Sequence, residues 1–220
     1  PYPRETAKFE ALLRELDVDD ASSWLDALTK LRRRPDIDNP YLGLDAYSEG
    51  DADRFHGRSA LTAARIADVQ ASFDKHGQPP MVVIGPSGVG KSSLLQAGLV
   101  AGLNAHEDVV AMATTPQPHP IEALASIATW ISEHADQHQV VVIDQFEEIF
   151  SPTNTRVTER FLDELAAMTH SRDIQAVVGL RADFYERAAK TPWLRHGLEE
   201  RHTLVAPLSR DDTTECIVRP

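Results

Sequence analysis

Apolar positions along this chain follow two rhythms. Up to about residue 38 they recur at helical spacing, first Phe9, Leu12, Leu13 and Leu16, then, after Asp19-Asp20, Trp24, Leu28 and Leu31. Pro35-Asp36-Ile37-Asp38-Asn39-Pro40 breaks the pattern and reads as a linker, so a helical segment is predicted over 1–38 and a second domain over 39–220. From residue 58 helix and strand patterns alternate. Leu61, Ile66, Val69 and Phe73 predict a helix, followed by the loop His76-Gly77-Gln78-Pro79-Pro80. Met81–Ile84 is then an uninterrupted apolar run, as expected of a strand covered on both faces, and similar runs recur at 109–113, 140–143, 174–180 and 203–206. Helical patterns separate them: Leu94, Leu95 and Leu99; Ile121, Leu124, Ala128 and Ile131; Val157, Phe161, Leu165 and Met168. This alternation predicts an α/β fold with a five-stranded parallel sheet and helices on both faces.

Composition narrows the function only modestly. With 220 residues, 42% hydrophobic and 25% charged, the chain has the make-up of a globular domain able to bury one good-sized core. No apolar run nears the roughly 18 residues of a membrane span, and the first residues lack the pattern of a signal peptide. The sequence begins without Met, so a piece cut from a longer polypeptide is expected. The single cysteine, Cys216, allows no internal disulfide and fits a reducing cytoplasm. A net charge of −12 argues against a broad nucleic-acid surface. The basic cluster Lys30-Leu31-Arg32-Arg33-Arg34 reads as a solvated helix end. His134 and His138 are four apart, but the helix is expected to end between them and no third metal ligand is evident.

Chemistry concentrates at strand ends. The run at Met81–Ile84 passes directly into Gly85-Pro86-Ser87-Gly88-Val89-Gly90-Lys91-Ser92, a G-x-x-x-x-G-K-S loop between a strand and a helix. Glycines let successive N–H groups turn inward on phosphate oxygens, and the following helix start adds positive potential. Lys91 is placed to reach the β- and γ-phosphates and the Ser92 hydroxyl to ligate magnesium. The second anchor is Val140–Ile143 followed by Asp144-Gln145-Phe146-Glu147-Glu148, a Walker B pattern with Asp144 as the metal carboxylate. Glu148 is a candidate to orient or deprotonate the attacking water, Glu147 is its rival, and both could be plain solvated acids. The third strand end carries Arg181, placed to sense a γ-phosphate or, alternatively, to form a structural ion pair with Glu147 or Asp183. Together these predict a three-layer P-loop nucleotide-binding core using ATP or ADP with Mg2+.

The motif set resembles the STAND ATPases, signal-transduction relatives of the AAA+ proteins, and within them the bacterial novel STAND group often fused to WD-repeat propellers. Asn39-Pro40-Tyr41-Leu42-Gly43-Leu44 and Phe55-His56-Gly57-Arg58 resemble the segment that precedes the family's P-loop. Gly85 to Ser93 resembles its Walker A region, Asp144 to Phe150 its Walker B. Leu180-Arg181-Ala182-Asp183-Phe184-Tyr185 and Pro207-Leu208-Ser209 resemble later signatures. The resemblance implies a switch: closed and monomeric with ADP, open and self-associating with ATP, controlling an effector. It places Tyr41, Leu42, Phe55, Gly57 and Arg58 near adenine and ribose, counts Ser93 and Pro207 among nucleotide contacts, and makes Arg181 the γ-phosphate sensor. It also implies lid and winged-helix regions, and fused effector and sensor domains, outside these residues.

Two other functions compete with a slow regulatory ATPase. One is a nucleotide-binding scaffold that never hydrolyses ATP. The other is an AAA+-like DNA-associated ATPase, for which Arg201 is the candidate finger toward a neighbouring subunit. The acidic balance and the lack of a DNA-binding motif weigh against the latter, and no Asn-Lys-x-Asp segment points to guanine.

Overall fold

The computed structural model describes residues 41–219 other than 44, 74, 76, 117–118, 151–154 and 171–173. The helices expected before residue 38, the basic cluster at 30–34, the linker with its 38/39 boundary, and Asn39, Pro40 and Leu44 lie outside the described residues. The chain divides into two compact units, Pro1–Tyr41 and Leu42–Pro220, and the described strands and helices belong to the second.

A 3-10 turn, Glu49–Arg54, leads into helix α1 (Ser59–Gln70) and strand β1 (Met81–Gly85). Helix α2 opens at Lys91–Ser93, winds as a π-helix over Leu94–Val100 and closes at Ala101–Asn104. Then come β2 (Val109–Thr114), α3 (Pro120–Glu133), β3 (His138–Ile143), a 3-10 turn at Phe146–Phe150 and α4 (Thr155–His170). Strand β4 (Ile174–Arg181) is followed by a 3-10 turn at Ala182–Phe184, α5 (Tyr185–Ala189), α6 (Pro192–Glu200), β5 (His202–Leu204) and α7 (Arg210–Val218).

The five strands form one parallel sheet in the order β2-β3-β4-β1-β5. Side chains alternate between its faces and feed two apolar clusters. Val82 and Ile84 of β1 pack with α3, α4 and α6 on one face, while Met81 and Val83 pack with α1 and α2 on the other. Burial on both faces is why the inner strands β1, β3 and β4 are largely apolar, whereas burial alternates along the edge strands β2 and β5. The predicted five-stranded parallel α/β architecture is the observed one.

The differences are local. The run expected at 203–206 becomes a strand only over His202–Leu204. Val205 still donates to Ile84 O at 2.7 Å, but the Ala206 carbonyl accepts Arg58 Nη2 at 2.7 Å and Pro207 has no N–H to offer the ladder. Helix α7 has no buried residue, so apolar periodicity could not announce it. Its signal is the capping pair: Ser209 Oγ accepts Asp212 N–H at 3.1 Å, and Ser209 N–H donates to Asp212 Oδ2 at 3.2 Å. Helix α3 ends at Glu133, with His134 as its cap residue and the His134 ring nitrogen 2.8 Å from Trp130 O. His138 begins β3 and stacks on Phe73 with ring centroids 4.3 Å apart. The two histidines therefore share no helix face.

Arg201 sits at the N-terminal edge of the sheet, away from the strand ends that carry the phosphate loop. Its guanidinium donates to Pro79 O (3.0 Å), Gln175 Oε1 (2.8 Å) and Ser72 Oγ (2.8 Å), tying together the end of α1, the loop before β1 and β4. Its partners all belong to the fold, so the structure gives Arg201 a structural placement. Arg201→Ala should leave Gln175 and Ser72 underbonded and cost about 1–3 kcal/mol in urea unfolding. Nucleotide affinity should stay as in the parent.

Candidate functional site

The loop between β1 and α2 is shaped by glycine where shape is needed. Gly88 and Gly90 have φ of +75° and +88°, and a Cβ at either would meet nothing, so conformation rather than space demands glycine there. Gly90 is the cap residue of α2, whose first turn starts at Lys91 and presents unpaired N–H groups to the loop's hollow. Lys91 is buried, and its Nζ donates to Gly85 O and Pro86 O, each at 2.9 Å. Two of three ammonium protons are thus engaged, leaving one for an incoming acceptor. Burial pulls the Lys91 pKa down, opposed by the nearby Glu147 and Asp144 carboxylates.

Asp144 follows the last residue of β3, its amide donating to Thr114 O on β2 at 2.9 Å. The residue is 2% exposed. Oδ1 accepts the Gln145 N–H at 2.8 Å, while Oδ2 is buried without a hydrogen-bond partner. A desolvated carboxylate oxygen left unpaired is costly, and such a cost is tolerated where a ligand completes the bonding. Gln145 has a φ of 52°, the one positive value at a non-glycine among the described residues. This left-handed residue turns the chain sharply off the strand into the Phe146–Phe150 turn, which brings Glu147 and Glu148 back toward the cavity.

The two glutamates differ in environment. Glu147 Oε2 accepts the backbone N–H of Arg181 at 3.1 Å, fastening the end of β4 to the turn after β3. Glu148 has its pKa raised by burial first, then by the Glu147 and Asp144 charges. The Arg181 guanidinium forks onto Asp183, Nε to Oδ1 at 3.1 Å and Nη2 to Oδ2 at 2.8 Å. That hydrogen bond and charge raise the Arg181 pKa and lower that of Asp183. Of the roles left open by the sequence, the ion pair with Asp183 is the one seen in this structure.

One cavity of about 460 Å³ gathers these parts: Ser87, Gly88, Gly90, Lys91, Ser92, Asp144, Glu147, Glu148 and Arg181 all line it. That is a size typical of small-ligand sites. Gly43, Asp45, Ala46 and Gln145 also line it and are not among the site residues expected from sequence. The segment around residue 45 is held there by Tyr47 N–H, which donates to Ser93 Oγ at 3.1 Å. Ser93 therefore anchors this cover rather than lining the cavity. Gly85, Pro86 and Val89 belong to the loop but not to the lining.

The residues that the resemblance counts as adenine, ribose and other nucleotide contacts do not line this phosphate-side cavity. Leu42, Phe55, Gly57, Arg58 and Pro207 are absent from that lining; Tyr41 belongs to the first unit and is exposed. Phe55 borders a separate cavity of about 380 Å³ between α1 and α2, with Thr62, Ile66 and Gly98. Gly57 is packed beneath α7, where a Cβ would come within 2.5 Å of Cys216 Sγ. Arg58 Nη2 bridges Val89 O (3.1 Å) and Ala206 O (2.7 Å), so it braces the phosphate loop against the segment after β5.

Among the described residues no group of three or more His, Cys, Asp and Glu could hold a metal ion unaided. The oxygen donors here are the orphaned Asp144 Oδ2 and the Ser92 hydroxyl. They fit Mg2+, which takes one or two protein oxygens and completes its shell with phosphate and water. No described helix is long and apolar enough to cross a membrane.

No curated protein matches the chain significantly. Among solved structures, C. elegans PCH-2 matches with 14% identity and a TM-score of 0.47, the match covering 68% of this chain and 43% of that one. The family matched, over residues 40–220, is "Novel STAND NTPase 1". A phosphate loop, a strand of the same sheet that leads into a buried carboxylate and a family match over more than half the chain converge: this chain belongs to the novel STAND NTPase family.

Proposed function

We propose that this domain is an ATP-binding, slowly hydrolysing switch module that uses Mg2+. The observation that carries the reading is the buried, unpartnered Asp144 Oδ2, on a residue that lines the same cavity as Lys91 and Ser92. A carboxylate kept out of water beside a phosphate-binding loop has its reason if a cation bridges it to a bound polyphosphate.

In this mechanism the amides from Ser87 to Lys91 bind the phosphate oxygens. Lys91 gives up the Gly85 and Pro86 carbonyls for the β- and γ-phosphates, a short reach because the ammonium already points into the loop. Ser92 and Asp144 would hold magnesium, which when bound neutralises charge growing on the phosphates. Glu148 orients a water and takes its proton as the water oxygen bonds to the γ-phosphorus and the bond to the β–γ bridging oxygen breaks. ADP and phosphate leave. Glu147 serves as a strut through the Arg181 amide, and Glu148, whose pKa is raised by burial, is assigned as the base. Arg181 exchanges Asp183 for the γ-phosphate and so registers its presence. Base and ribose are assigned to the Gly57–Arg58 side, because Arg58 already touches the phosphate loop at Val89.

The switch role rests on family membership: ATP-driven self-association, control of fused effector domains and a cytoplasmic setting belong to the same proposal. Calorimetry with ATP and ADP in Mg2+ tests the core of it, and an absence of heat from folded protein would overturn it. Lys91→Ala should weaken ATP binding about 10- to 100-fold, the value of a charge-assisted contact, with an unchanged thermal melt. Glu148→Gln should preserve binding and lower turnover about 100- to 10,000-fold in a phosphate-release assay. In the parent, turnover needs ionised Glu148, so it should fall as pH drops through a value above the ordinary 4.5, and that limb should vanish in the variant.

The same shift bears on stability. A folded-state pKa above the unfolded one means Glu148 contributes stability below its unfolded pKa, and that contribution is lost as pH rises through the folded value. Ionised Glu148 is therefore a burden at neutral pH, moderated by the solvent that still reaches it. Glu148→Gln should melt higher than the parent at pH 7, by no more than about 0.5–1 kcal/mol, with the difference shrinking toward acid pH.

A further inference from the structure

Gly179 lies in β4 between the phosphate-loop strand and the strand that ends at Asp144. Val83 pairs with Gly179 across β1–β4 and Ile143 with Val178 across β3–β4, so Asp144 stands one step beyond the ladder, beside Gly179. The backbone there is ordinary strand, which any residue adopts and in which glycine is a poor choice. Space explains the choice. A Cβ at Gly179 would lie 2.9 Å from Asp144 Oδ1 and 2.6 Å from Leu95 Cδ1. Both are side-chain tips, so a methyl group would turn them aside rather than break the strand. Leu95 is one apolar tip among many in its cluster. Asp144 Oδ1 does not turn freely, because it accepts the Gln145 N–H at 2.8 Å at a residue already held at φ 52°.

We propose that Gly179 is a positioning residue for the metal carboxylate. By carrying no side chain it keeps open the space across β4 through which Asp144 presents its carboxylate to the cavity shared with Lys91 and Ser92. Asp144 is two strands away from the phosphate loop, and a side chain at position 179 of the intervening strand would press on its carboxylate. The inference rests on the nucleotide-and-magnesium reading above and adds to it the residue that makes the carboxylate's orientation possible.

The test compares ADP affinity in EDTA with affinity in Mg2+, by calorimetry, for the parent, Gly179→Ala, Leu95→Ala and the Gly179→Ala/Leu95→Ala pair. The pair removes the tighter overlap and keeps the one with Asp144, so it serves if Gly179→Ala alone folds poorly. Expected is an unchanged affinity in EDTA with the magnesium enhancement reduced about 10-fold or more in both Gly179 variants, as in Asp144→Asn, and retained in Leu95→Ala. A folded Gly179 variant with the parent's enhancement would overturn the proposal while leaving the nucleotide reading intact. Equal loss in EDTA and Mg2+, or loss in Leu95→Ala alone, would overturn it as well, since either marks general damage. A parent with no magnesium-dependent binding would remove both readings together.

Discussion

An ammonium and a carboxylate are held out of water at the ends of two strands one apart in the sheet, without neutralising one another. Lys91 is bonded to two carbonyls of its own loop, and Asp144 Oδ2 has no hydrogen-bond partner. Two buried opposite charges brought into contact would satisfy each other and close the site. Held apart across β4, each keeps bonding capacity that only a ligand carrying both negative charge and a cation can use. The desolvation cost of that arrangement falls on the surrounding core, whose inner strands are buried on both faces and hold the two groups in place.

Sheet order produces this separation. Because β4 lies between β1 and β3, the loop residue and the Walker B residue come from strands that do not touch, and the intervening strand needs a gap at Gly179. The same strand ends in Arg181, so the strand that separates the two charges also carries the third group of the site. Glu147 fastens it by accepting the Arg181 amide proton. Sheet register, more than any single contact, thus sets the distances among the functional groups.

Three arginines show how one residue type is put to different uses by position. Arg201, at the N-terminal edge, closes a carbonyl and hydroxyl network and belongs to the fold. Arg58 braces the phosphate loop against the segment after β5. Arg181, at the carboxyl edge, is paired with an exposed acid that a more strongly charged anion could replace. In sequence each is simply an arginine near a strand or a glycine. The partners that folding brings to each guanidinium separate the roles.

The strand-and-helix alternation, the parallel sheet, the phosphate loop, and the location of Lys91, Asp144 and Arg181 near strand ends were all legible in the order of residues. Those features are local: an apolar run of strand length, a glycine pattern, a residue immediately after a run. Other features emerged only on folding: the part of the cavity wall that Gly43, Asp45 and Ala46 supply, the strut made by Glu147, the second cavity that Phe55 borders, and the spatial reason for glycine at 179. Each depends on atoms from segments far apart in sequence coming into contact, and no spacing along a chain encodes a contact whose partner is set by strand order.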